Sequence, residues 1–146
     1  MTTDRATELD THIEELVTTT FSAMRAAGQQ YRMMAHLVHP PVPEDGRVHT
    51  LLMDCGTNKE EFYKAVKGAA AELGAEWLAL SAEAYLTYLT NPPKRVEALI
   101  LSVQSAAGKR LIVWEIVGLG PNAKLTNRTD TGEALGLFAA LLPTTN

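Results

Sequence analysis

A chain of 146 residues with 46% hydrophobic and 21% charged side chains has the composition of one ordinary globular domain, spanning residues 1–146. Its formal charge of −4 argues against a nucleic-acid binder, because phosphate binding needs clustered Lys and Arg, and here only Lys94-Arg95 and Lys109-Arg110 are adjacent. The lone Cys55 excludes an internal disulfide and fits a reducing compartment. Met1-Thr2-Thr3-Asp4-Arg5 lacks an apolar signal core, and no apolar run approaches the ~20 residues that span a bilayer, so a cytoplasmic location with no membrane contact is expected.

Residues 4–27 read as a helix, with Leu9, Ile13, Leu16, Val17, Met24 and Ala27 at helical spacing and Gly28 as its stop. Acidic Glu8, Asp10, Glu14 and Glu15 in its first half and Arg25 near its end suit the helix dipole. Residues 31–39 read as a strand. Pro40 to Gly46 must be loop, because prolines cannot donate to a ladder, and Val48 to Met53 reads as the returning strand. Asp54 to Asn58 turns into a second helix, with a capping box in either Thr57/Glu60 or Asn58/Glu61. That helix carries Phe62, Ala65, Val66, Ala69 and Leu73 on one stripe and ends at Gly74.

Three apolar segments follow, Glu76–Ala82, Arg95–Val103 and Arg110–Val117, the last two joined by the tight-turn composition Ser105-Ala106-Ala107-Gly108. If Gln104 opposes Lys109, then Leu101 opposes Ile112 and Leu99 opposes Trp114, which makes one core face together with Val103 and Ile116. The other face opposes Ala98, Ile100 and Ser102 to Glu115, Val113 and Leu111 and is also largely apolar. A sheet apolar on both sides needs two covers, supplied by the chain's own helices or by a partner subunit. In the second case Ile100, Val113, Leu111 and Ala98 form the interface of a homodimer. Gly118-Leu119-Gly120-Pro121 breaks the pattern; residues 122–130 read as loop or at most a short edge strand. A last helix begins at Asp130 or Thr131, carries Leu135, Phe138, Leu141 and Leu142, and closes at Pro143.

The expected fold is therefore a single α+β domain, a five-stranded antiparallel sheet with flanking helices in the order αββαβββα. That order resembles the roadblock/longin group of profilin-like folds, in which a five-stranded antiparallel sheet carries helices on its faces. No motif of that group is matched, so no functional residue is implied. The Ser81-Ala82-Glu83-Ala84-Tyr85 strand end followed by Arg95 to Leu101 also resembles small uncharacterised prokaryotic and phage proteins, which implies no function.

Three places could carry chemistry. His36 and His39 alternate on one strand and point to opposite faces, so they cannot share a metal. His49, on the returning strand, pairs with one or the other, and Glu44 or Asp45 could complete a divalent site. A two-histidine set without a fixed motif is weak, so no metal is expected. Cys55, just before a helix, could be an activated thiol with His49 as its base; a small buried cysteine at a strand end is the commoner arrangement. Glu83, Glu97 and Glu115 lie within strands, but the register puts Glu97 and Glu115 on opposite faces, and structural roles are expected. His12 reads as solvated. Gly118-Leu119-Gly120-Pro121 lacks the third glycine and lysine of a phosphate loop, and Asn127-Arg128-Thr129 is a sequon without a secretory context.

No cofactor and no catalytic constellation emerge. The leading reading is a small non-enzymatic interaction or regulatory protein that self-associates, with a further protein partner possible. The alternatives are a metal- or thiol-dependent hydrolase around His36, His39, His49 and Cys55, and a small-ligand sensor beside the Pro40–Gly46 loop.

Overall fold

A computed structural model describes residues 3–38, 49–52, 58–88, 91–105 and 108–130. Cys55, His39, Glu44, Asp45, the Pro40–Gly46 loop and the expected last helix lie outside them.

The first helix, α1 (Thr3–Ala26), buries Leu9, Ile13, Val17 and Phe21, a row at strict i+4 spacing, and leaves Leu16 partly in water. Thr18, in its middle, is accommodated by a hydroxyl hydrogen bond back to the Glu14 carbonyl at 2.9 Å. Gly28, at φ 75°, stops the helix, and the Gln29 N–H closes on the Met24 carbonyl. Helix α2 (Lys59–Leu73) is capped by Asn58, whose Oδ1 accepts from the Glu61 N–H at 2.8 Å, and ends at Gly74 in the left-handed conformation. Its buried row is Phe62, Val66 and Ala70, so Ala65 of the expected stripe turns to solvent.

The strands are β1 (Met34–Val38), β2 (His49–Leu52), β3 (Trp77–Tyr88), β4 (Lys94–Ser105), β5 (Gly108–Val117) and β6 (Lys124–Asp130). They form one antiparallel sheet in the order β2-β1-β3-β4-β5-β6. The β4–β5 register is the expected one, Gln104 opposite Lys109, Leu101 opposite Ile112 and Leu99 opposite Trp114. Two strands exceed expectation. β3 runs on to Tyr88, and Lys124–Asp130, read as loop or at most a short edge strand, forms a sixth strand beside β5 with a register shift near Val113 and Glu115. Nearly every β6 side chain is exposed, which is why its sequence lacks apolar alternation.

Both sheet faces are buried. On one, α1 packs with Met34, Val38, Trp77, Ala79, Leu99, Leu101, Ile112 and Trp114. On the other, Phe62, Val66 and Ala70 of α2 share a cluster with Ala35, Leu37, Leu78, Leu80, Ala98, Ile100, Leu111 and Val113. Ile100 is 1% and Val113 8% exposed in the single chain. The face expected to need a partner is thus covered by the chain itself, and Ala98, Ile100, Leu111 and Val113 are core residues. Among the described residues no helix is long and apolar enough to cross a membrane.

Candidate functional site

Of the strand histidines, His36 and His49 lie on paired strands but are not register partners. His36 lies opposite Thr50 of β2 and Ala79 of β3, whereas the register partner of His49 is Leu37. His36 is buried. Its Nδ1 is 3.0 Å from the Thr50 hydroxyl and its Nε2 has no partner; burial pushes its pKa down to about 4. Among the described residues no three His, Cys, Asp or Glu side chains gather as a metal site. His12 is exposed on α1.

The strand carboxylates have separate partners. Glu83 takes the Arg25 guanidinium at 3.0 Å and the Tyr31 N–H at 3.4 Å. Glu97 accepts from the Tyr85 hydroxyl, and Glu115 from the Asn127 amide. Because Glu115 opposes Ala98, Glu97 belongs to the other face, so these two acids cannot act as a pair.

Two polar clusters were not visible in the sequence. At one end of α1, the Tyr31 hydroxyl and Ser81 Oγ are 2.6 Å apart and buried, beside the Arg25–Glu83 ion pair. Burial, with a smaller contribution from the Glu83 charge, pushes the Tyr31 phenol up to about 12 against the lowering effect of the Ser81 bond. A buried phenol shifted in that direction keeps its proton near neutral pH, and its hydrogen bond to Ser81 ties residue 31 to β3. At the other end, Asp10 accepts from Trp77 Nε1 at 2.9 Å and from Arg110 Nη1 at 3.0 Å, and Arg110 also bonds Asp130. Arg128 grips Glu14 with two hydrogen bonds. This network fastens α1 to β3, β5 and β6.

Among the described residues, one end of the sheet stays open. The β1–β3 ladder ends at Ser81 and the β4–β5 ladder at Ala98, so the far half of β3 and the start of β4 project as a two-stranded ribbon, paired out to Tyr88 and Lys94. Tyr85, 60% exposed, lies on the ribbon with the Arg95 guanidinium 4.0 Å from its ring centroid and its hydroxyl on Glu97. Tyr88 is also exposed, beside Lys94. β5 continues past Glu115 toward the same end, where Val117 and Leu119 are exposed. Leu119, at 85%, stands on a turn framed by Gly118 (φ 93°) and Gly120 (φ 57°). A Cβ at position 118 would also meet the Asn122 carbonyl oxygen at 3.1 Å. The glycines expected to be a turn are one, and the turn presents an apolar side chain to water.

No protein-family model, no curated protein and no solved structure matches the chain.

Proposed function

We propose that this protein is a small interaction or regulatory module without catalytic activity, and that it self-associates through the β3–β4 ribbon and the adjoining turn after β5. One observation carries the reading. Among the described residues, Tyr85, Tyr88, Val117 and Leu119 account for all the exposed large apolar or aromatic side chains except Leu16, and all four belong to the same end of the sheet. Single exposed hydrophobics are ordinary, but here they collect at one end of the sheet. Tyr85 with its ordered Arg95 partner lies on the α1 side and Tyr88 and Val117 on the α2 side, and such a wrapped end has the composition of a protein contact. The surface originally expected for a homodimer, centred on Ile100 and Val113, is occupied by the chain's own packing, which moves the proposed contact to the ribbon.

Sedimentation equilibrium at micromolar concentration tests the reading. The wild type is expected as a dimer and Leu119→Asp, which changes an almost fully exposed side chain, as a folded monomer. A monomeric wild type removes homodimerisation. The hydrolase alternative rests on Cys55, or on His49 joining either His36 or His39 with Glu44 or Asp45; the burial of His36 and its register against Thr50 count against the His36 arrangement. Near one metal per purified chain, lost in His49→Ala, would restore it.

A further inference from the structure

We propose that His36 is an acid-operated latch holding the edge strand β2 to the sheet: neutral, it ties β1 to β2 through Thr50; protonated, it lets β2 go. The geometry begins with an asymmetry at the ring. Nδ1 has the Thr50 hydroxyl at 3.0 Å, whereas Nε2 is buried with nothing to bond. A neutral imidazole suits this site, because Nδ1–H donates to Thr50 and Nε2 needs to carry no proton. Protonation puts a second N–H and a full charge where the described residues offer no acceptor, and both must be solvated or expelled.

Among the described residues the surroundings supply no compensating charge. On the same face, His36 is flanked by Met34 and Val38 along β1, by Thr50 across β2, and by Ala79, Trp77 and Ser81 on β3. The helix over this face buries Leu9, Ile13, Val17 and Phe21. Its charged groups that engage the sheet, Asp10, Glu14 and Arg25, are bonded to Arg110, Arg128 and Glu83, and the hydroxyl of Tyr31 is held by Ser81. Burial alone lowers the His36 pKa, with no ionised group contributing.

The structure also indicates what gives way. β2 is four residues long and among the described residues pairs only with β1, whereas β1 is held on its other side by β3 over all five of its residues. Opening β2 exposes the ring at the cost of one short ladder. Opening the β3–β4–β5 core to reach the same ring would break far more. Sub-global openings of this kind draw on the least stable part of a structure.

The sign follows from linkage. The ring takes a proton near pH 6.5 once β2 is released, and only near pH 4 while it is held. The open form binds more protons between those values, so closure weakens as pH falls from about 6.5 to about 4 and changes no further below that. The ratio of closed to open shifts by at most about 300-fold across the window, the factor that the gap between the two values allows.

Amide hydrogen-exchange protection, measured between pH 7 and pH 4, tests the latch. Protection of the β2 amides that bond to β1, every second residue of His49 to Leu52, should fall by up to about 300-fold over the window while that of Leu99 to Val103 holds, and in His36→Phe the β2 protection should not depend on pH. Equal pH slopes in wild type and His36→Phe, or loss of protection in β4 in step with β2, would overturn the proposal. The imidazole titration of the wild type, followed by NMR, needs no variant: a folded-state midpoint near 6.5 would also overturn it.

Discussion

The guanidinium of Arg95 lies 4.0 Å from the centroid of the Tyr85 ring, across the β3–β4 ladder, and the Tyr85 hydroxyl reaches Glu97 on the same strand as Arg95. The tyrosine is therefore held at both its face and its tip although most of it is in water. A large side chain ordered before binding loses little entropy on contact, which is the physical basis for assigning it to an interface. Tyr85→Ala should weaken self-association about tenfold or more while shifting the urea midpoint by no more than about 0.5 kcal/mol of stability. Sedimentation and urea unfolding of the same sample separate the two effects. An unchanged dimer with Ala at this position would argue against the ribbon.

Ile100 behaves differently because it is core. Ile100→Ala should cost about 2–5 kcal/mol of stability, the usual range for emptying such a site, and leave the dimer of the still-folded fraction intact. Urea unfolding and sedimentation read the two quantities. A stable monomeric variant would put Ile100 at a subunit contact instead.

Asp10 holds two donors from distant parts of the chain, Trp77 Nε1 and Arg110 Nη1. Asp10→Ala leaves the N–H of an almost fully buried Trp77 unpaired, and about 1–3 kcal/mol of destabilisation is expected. Adding Trp77→Phe removes that orphaned donor, so the double variant should lose less than the sum of the two single changes. Additive losses in urea unfolding would show that the hydrogen bond contributes nothing.

Ser102 presents the opposite case. Its hydroxyl is buried in the α2-side cluster without a partner. Ser102→Ala removes an unsatisfied polar group at almost no change in volume, so stability should stay level or rise by up to about 1 kcal/mol. A clear drop in the urea midpoint would mean that the hydroxyl has a partner in solution.

Legibility in the sequence followed burial. The β4–β5 register could be worked out because the Ser105–Gly108 turn fixes which residues face each other and both faces are apolar. The end of β3 was hidden because Glu83, Thr87 and Tyr88 lie where the sheet has narrowed to two strands, and a solvated ribbon needs no apolar alternation. β6 was hidden for the same reason, as Lys-Leu-Thr-Asn-Arg-Thr-Asp is an exposed edge. The Tyr31–Ser81 and Asp10–Trp77 contacts join residues 50 and 67 positions apart, a separation at which no local pattern reports proximity. The sequence left two covers open for the Ile100 face because apolar character shows that a strand face is buried and not what buries it.

Two copies of the chain are proposed to meet at the ribbon end, and isotope-filtered NOE measurement on an equal mixture of labelled and unlabelled protein probes that contact. Intermolecular contacts are expected from Tyr85, Tyr88, Val117 and Leu119. Intermolecular contacts confined to α2 or β6, or none at concentrations well above micromolar, would contradict that proposal.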